Sequence, residues 1–135
     1  VSCQGGDEMT KKVLIVDDAR VIRMTLGRIM KKLGFEILEA ADGQQALDQM
    51  KANPDTDLIL LDWHMPVMNG YDFLVNLRSQ PEHGSSPVVI MVTTEASMPS
   101  MLKALAAGAD EYIMKPFDID LVKSKLDIIG MAYQG

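Results

Sequence analysis

Three aspartates, a threonine hydroxyl and a lysine amine each stand directly after a short run of aliphatic residues. Val13–Val16 runs into Asp17-Asp18, Leu58–Leu61 into Asp62, Val88–Val92 into Thr93-Thr94, and Tyr112–Met114 into Lys115-Pro116. Carboxylates gathered at close range raise one another's pKa, and no fold gains stability from them alone. A hard cation resolves that conflict. Mg²⁺ takes oxygen ligands and typically uses one or two carboxylates plus a phosphate; Mn²⁺ could substitute, because it accepts the same oxygen donors. Zinc fits poorly, since His64 and His83 are the only nitrogen donors of their kind and the single cysteine, Cys3, is remote. Acids, a metal, a hydroxyl and an amine together point to phosphoryl transfer, which asks mainly for in-line positioning and charge neutralisation. The available nucleophile is a carboxylate, a route to an acyl phosphate. No Gly-x-x-x-x-Gly-Lys-Ser/Thr loop is present, so a nucleoside-triphosphate site is not indicated.

Each of these residues also has a plainer reading. Asp18 would serve as a helix N-cap, Asp62 as a turn residue, Thr93 as a strand end and Lys115 as a solvated surface charge. The plain readings require five independent coincidences at the ends of the apolar runs.

The elements that must position these residues alternate along the chain. Val-Leu-Ile-Val, Leu-Ile-Leu-Leu and Val-Val-Ile-Met-Val are apolar at every position, the pattern of strands buried on both faces of a parallel sheet. Glu36–Glu39 and Tyr112–Met114 complete a set of five. Between them lie segments of helical period: Ile22, Leu26, Ile29, Met30 and Leu33, stopped at Gly34; Ala46, Leu47 and Met50, stopped near Pro54; Phe73, Leu74 and Leu77, ending before Pro81. Met98, Leu102 and Leu105 mark an Ala-rich fourth helix stopped at Gly108, and Ile119, Val122, Leu126 and Ile129 a fifth ending at Gly130. Most of the 11 methionines fall on or near these stripes and read as core filler.

Strict β-α alternation with short connections predicts parallel strands joined by right-handed crossovers. The expected fold is α/β: a doubly wound, five-stranded parallel sheet in three α/β/α layers, with the flavodoxin-type order 2-1-3-4-5 leading. That order makes strands one and three neighbours, so Asp17, Asp18 and Asp62 would converge on the edge where such folds bind ligands.

Length and charge narrow the class. A chain of 135 residues fits one domain. Residues 1–9 read as an expression-derived or disordered extension ahead of Met9-Thr-Lys-Lys, leaving 10–135 as the domain. Val1–Thr10 has neither the basic start nor the apolar stretch of a signal peptide. The net charge of −6 argues against direct nucleic-acid binding, which wants a basic face. No apolar run approaches the ~18–20 residues of a membrane span. A reducing, cytoplasmic setting fits the one cysteine.

Four stretches resemble the signatures of response-regulator receiver domains of two-component systems: Val-Leu-Ile-Val-Asp-Asp (13–18), Leu-Leu-Asp-Trp-His-Met-Pro-Val-Met-Asn-Gly (60–70), Val-Thr-Thr-Glu-Ala (92–96) and Tyr-Ile-Met-Lys-Pro-Phe (112–117). The resemblance covers roughly residues 11–131. It implies that Asp62 is the phosphoacceptor, supplied by a sensor histidine kinase or phosphotransfer protein. It implies that Asp17, Asp18, Asp62 and the backbone carbonyl of His64 hold Mg²⁺, with the His64 ring exposed rather than coordinating. Lys115 is then the ion-pair partner of Asp62, Thr93 the switch hydroxyl and Tyr112 the switch aromatic, and the Lys115–Pro116 bond is cis. Such a domain catalyses only its own phosphorylation and dephosphorylation, so it is not an enzyme with an external substrate. Trp63 and the Thr-x-Glu-Ala pattern resemble the chemotaxis-type (CheY-like) receivers, which present an α4–β5–α5 face to a protein target. The fourth helix departs from that type in lacking a basic stretch. A monomer, or a weak phosphorylation-dependent dimer, is expected.

Rival readings stay open from sequence alone. A haloacid-dehalogenase-type phosphatase also pairs an Asp nucleophile with Mg²⁺ and Lys, but wants Asp-x-Asp after its first strand and usually a cap insertion. A flavodoxin-like carrier of flavin mononucleotide wants a hydroxyl- and Gly-rich loop where this chain has Asp-Asp-Ala-Arg. A degenerate receiver is disfavoured because all five positions are filled.

Overall fold

A computed structural model describes residues 10–95 and 97–135; the extension expected at residues 1–9 lies outside the described residues. Five strands and five principal helices alternate in chain order: β1 (Lys12–Val16), α1 (Arg20–Lys32), β2 (Glu36–Ala40), α2 (Gly43–Ala52), β3 (Leu58–Leu61), α3 (Gly70–Ser79), β4 (Val88–Thr93), α4 (Met98–Ala107), β5 (Glu111–Met114) and α5 (Ile119–Ile128). A single 3₁₀ turn, Pro81–His83, follows α3. All strand pairings are parallel and the sheet order is β2-β1-β3-β4-β5. The expected doubly wound fold is present, with strand bounds shifted by one residue at most.

Alternate strand residues feed two separate cores, which is why the runs are apolar throughout. Leu14, Val16, Ile59, Leu61, Val89 and Met91 pack against α2, α3 and α4 through Ala46, Met50, Phe73, Leu74, Leu77 and Ala104. Val13, Ile15, Leu58, Leu60, Ile90, Val92 and Ile113 pack on the other face against Leu26 and Met30 of α1 and Val122 and Leu126 of α5. Burying each of these side chains contributes roughly 1.5–3 kcal/mol.

Helix starts follow from short polar residues. Asp42, Asn69, Ser97 and Asp118 accept hydrogen bonds from the N–H groups of Gln45, Asp72, Ser100 and Leu121, satisfying donors that the first turn of a helix leaves open. Gly108 ends α4 at φ +114°, a conformation that L side chains rarely adopt.

One expectation fails. Met98, Leu102 and Leu105 do not line the core: they are 63%, 59% and 44% exposed. The buried position of α4 is Ala104, with Met101 and Ala107 packed beside it. The helix is apolar on more than one face, so period alone selects the wrong stripe. The small residues turn inward because they let the helix sit close to the sheet. Met24 is likewise exposed, whereas Met30, Met50 and Met91 are the core fillers expected.

Candidate functional site

The carboxyl ends of β1, β3, β4 and β5 share one edge of the sheet, and the chemistry collects there. The register pairs Val16 with Leu61, Leu61 with Met91 and Thr93 with Met114, so the residues that follow emerge side by side. Asp17, Asp18 and Asp62 each offer one carboxylate oxygen within 4.8 Å of the other two. Asp17 and Asp62 are buried and Asp18 is exposed.

Each carboxylate is oriented differently. One oxygen of Asp17 accepts the Ala19 N–H at 2.8 Å, and the other meets the Lys115 ammonium at 2.7 Å. Asp17 therefore makes the turn into α1. Asp18 does not cap that helix, since its N-cap is Ala19 and no side chain bonds there. Asp62 accepts the Trp63 N–H at 2.8 Å, and its second oxygen lies 3.6 Å from Lys115 Nζ. Lys115 thus sits closer to Asp17 than to Asp62, bridging the two. Burial pushes the Asp62 pKa up, the Asp17 charge adds to the rise, and Lys115, the Thr93 hydroxyl and the Trp63 N–H oppose it.

Gly70 is the residue that lets α3 begin beside this cluster. Its N–H donates to the Trp63 carbonyl at 2.8 Å, and a Cβ there would overlap the Asp62 carbonyl oxygen. Between them the chain turns tightly, with the Met68 N–H on the Pro66 carbonyl at 2.7 Å and Val67 at φ +67°. A β-branched residue in that region is strained. Asp18, His64, Met65, Pro66 and Asn69 line an open hollow of about 520 Å³ beside the acids.

On the β4–β5 side a second set of contacts forms. Thr93 is fully buried, and its hydroxyl oxygen accepts the Glu95 N–H at 3.1 Å. The Glu95 carbonyl accepts the Tyr112 hydroxyl at 2.7 Å, and burial, followed by the Glu95 and Asp62 charges, raises the Tyr112 pKa. Glu95 also ties the loops together through its carboxylate, which meets His64 Nε2 at 3.0 Å, Ser100 Oγ at 3.0 Å and Ser97 Oγ at 3.3 Å. These bonds, His64 first, hold the Glu95 carboxyl below the usual carboxylate range. The His64 ring is exposed, with its bond to Glu95 as its contact. Sequence reading gave Glu95 no role of its own. The available signal was its place two residues beyond Thr93 at a strand end.

The Trp63 ring stacks on Tyr71 at 5.7 Å between centroids, with Lys103 Nζ 4.3 Å from the Tyr71 centroid. Lys115–Pro116 is cis, and so is Ser86–Pro87, which sequence reading did not single out.

A family model described as the response regulator receiver domain matches residues 13–127. The chain is 39% identical over 119 residues to chemotaxis protein CheY1 of Helicobacter pylori, covering 87% of this chain and 95% of that protein. It is 41% identical over 119 residues to chemotaxis protein CheY-3 of Vibrio cholerae, covering 87% of this chain and 90% of that one. Among solved structures it resembles Vibrio cholerae chemotaxis protein CheY4 at a TM-score of 0.82 and 32% identity, over 89% of this chain and 98% of that one. It also resembles a structure of the CheX–CheY–BeF₃–Mg²⁺ complex from Borrelia burgdorferi at a TM-score of 0.80 and 30% identity, over 88% of this chain and 89% of that one. The phosphatase and flavin-carrier readings gain no support from these matches.

Proposed function

Since this chain belongs to the response regulator receiver domain family, we propose that it is a phosphorylation switch whose acceptor is Asp62. The observation that carries this reading is the convergence of Asp17, Asp18 and Asp62 within 4.8 Å, with one ammonium, Lys115, against them. Three carboxylates facing one cation suit a divalent ion with oxygen ligands. Asp17, Asp18, Asp62 and the His64 backbone carbonyl would hold Mg²⁺ (or Mn²⁺), which when bound supplies neutralisation for the transferring phosphoryl oxygens.

In the proposed step an Asp62 carboxylate oxygen attacks the phosphorus of a phosphohistidine on a sensor kinase or phosphotransfer protein. The O–P bond forms, the P–N bond breaks, and its electron pair returns to the donor imidazole. The hollow beside Asp18 and His64 gives the donor an open approach. Lys115, already 3.6 Å from Asp62, then pairs with a phosphoryl oxygen. Water hydrolyses the acyl phosphate and resets the domain, so it turns over no external substrate.

The switch runs through Thr93. Its hydroxyl donates to a phosphoryl oxygen, which draws on the Glu95 N–H and through the Glu95 carbonyl on the Tyr112 hydroxyl. Phosphorylation biases a pre-existing equilibrium rather than creating a new state. Moving from mostly off to mostly on takes about 3–5 kcal/mol of differential interaction. The readout is the α4–β5–α5 face, where Met98, Leu102 and Leu105 stand exposed. The relatives are chemotaxis proteins, which makes a chemotaxis output in the cytoplasm the reading we favour. Among the described residues no helix is long and apolar enough to cross a membrane. The domain acts as a monomer or a weak phosphorylation-dependent dimer, without contacting nucleic acid directly.

Acetyl phosphate with Mg²⁺ tests the core of this. The expected outcome is a mass gain of one phosphoryl group, abolished by Asp62→Asn and by chelator. Equal labelling of the Asn variant would remove Asp62 from the role.

A further inference from the structure

Lys103 is the sole charged residue of α4, and it makes no ion pair among the described residues. A helix turns about 100° per residue, so Lys103 and Leu105 fall on opposite flanks of the buried Ala104. Lys103 takes the flank towards α3, where its ammonium lies 4.3 Å from the centre of the Tyr71 ring. Tyr71 stacks in turn on Trp63, with 5.7 Å between centroids and 22° between planes. The Trp63 N–H donates to Asp62 Oδ1 at 2.8 Å. A line of contacts therefore joins the Asp62 carboxylate to the middle of α4 by way of α3. Thr93, Glu95 and Tyr112 lie off it.

The rest of α4 is held at its two ends. Its start is tied to the Glu95 carboxylate by the Ser97 and Ser100 hydroxyls, at 3.3 and 3.0 Å. Its end is pinned to α3 by Arg78, whose Nε donates to the Gly108 carbonyl at 3.1 Å. That guanidinium is itself fixed, by the His83 carbonyl at 3.1 Å and the Asp110 carboxylate at 3.3 Å. With the end pinned, the start and the Lys103 contact are where a change at the acids reaches the helix. The near side has no slack either. A Cβ at Gly70 would overlap the Asp62 carbonyl oxygen, so α3 begins hard against the acceptor loop and Tyr71 is brought to Trp63.

Given Asp62 as the phosphoacceptor, on which this rests, we propose that Tyr71 and Lys103 are positioning residues that couple the charge of Asp62 to the setting of α4. They form a second line beside the one through Thr93. While the carboxylate is free, the Trp63 N–H has an ionised acceptor. Once an Asp62 oxygen is bonded to phosphorus the carboxyl group is no longer ionised, and that hydrogen bond weakens. The indole loses its anchor, and the stack under Lys103 loosens with it. The stack thus favours the arrangement of α4 that accompanies the free carboxylate. One aromatic pair and one exposed cation–π contact are each weak. They tune the switch rather than throw it.

The test uses beryllofluoride with Mg²⁺, which bonds a carboxylate oxygen as a phosphoryl mimic. By reciprocity, whatever biases α4 must bias affinity for the mimic by the same factor. Tyr71→Leu and Lys103→Met should each tighten its binding about threefold, as an exposed cation–π contact allows. The double variant should bind like Tyr71→Leu alone, because both residues act in one line. Tyr71→Phe keeps the ring and should match the parent. Trp63 is the chain's one tryptophan, so its emission reports the stack directly. The emission change caused by the mimic should survive in Tyr71→Phe and shrink in Tyr71→Leu. Amide NMR shifts caused by the mimic should shrink at residues 101–107 in Lys103→Met and persist at 93–95. Variants that melt lower yet bind the mimic like the parent would reduce the stack to packing and overturn the proposal. Weaker binding by the single variants, or additive effects in the double one, would overturn it too. A parent that neither binds the mimic nor takes label from acetyl phosphate would sink the Asp62 reading itself, and this coupling with it.

Discussion

Asp62 occupies an environment that opposes its own charge. Burial and the neighbouring Asp17 raise its pKa from the ordinary 3.8, and Lys115 only partly offsets them. A carboxyl raised in the folded state adds stability while protonated. That contribution is fully present below the unfolded pKa and is lost as pH rises through the folded one. Ionised Asp62 is therefore destabilising at neutral pH without metal. Asp62→Asn should then melt higher than the parent in chelator at about pH 7, and the gap should close as pH falls towards about 4. Thermal melts of both proteins across that range, in chelator, decide the matter. A variant that melts lower at neutral pH would mean that the Lys115 pairing outweighs burial. The identity of this residue was legible in the sequence because it ends an apolar run. Lys115 was legible as its partner, but not that the amine sits nearer Asp17, at 2.7 Å against 3.6 Å, because β3 and β4 separate β1 from β5 and no local pattern encodes side-chain reach across them. Glu95 was missed for a related reason. Its three side-chain contacts come from loops and a helix turn whose approach no local pattern encodes.

At the scale of elements, strands and helices were not equally readable. A strand buried on both faces must be apolar at every position, so β1, β3 and β4 announced themselves and placed the site residues with them. Helix α4 satisfied an amphipathic pattern on more than one face, and only packing selects between them. Ala104 went inward while Leu102 and Leu105 stayed out. This assignment has a thermodynamic consequence. Ile59→Ala, in the fully buried centre of β3, should cost about 2–5 kcal/mol in urea unfolding, because it removes transfer energy and leaves a cavity. Leu102→Ala should stay within about 0.5 kcal/mol, as surface substitutions do. A loss near that of Ile59→Ala would show that α4 rotates its leucines into the core in solution. The same variant should weaken binding of a downstream target if this face is the readout.

For the whole molecule, sheet order decides function. The 2-1-3-4-5 order puts β1 beside β3, and only that adjacency lets residues forty-odd positions apart in the chain share one ion. The fold can accept three crowded carboxylates because two large cores stabilise it independently of the site. Metal affinity should therefore appear as added stability rather than as a condition for folding. With [Mg²⁺] at 100 times Kd, linkage raises the unfolding free energy by about 2.7 kcal/mol. Asp18 offers the cleanest probe, because it is exposed and caps nothing, unlike Asp17 with its contacts to Ala19 and Lys115. Asp18→Asn should leave metal-free stability nearly unchanged, within about 0.5 kcal/mol, yet remove most of the stabilisation that millimolar Mg²⁺ gives the parent. Urea titrations of both proteins with and without Mg²⁺ separate the two effects, since the slope should be the same throughout. Undiminished stabilisation of the variant by Mg²⁺ would take Asp18 out of the ligand set and leave Asp17 and Asp62 to hold the ion.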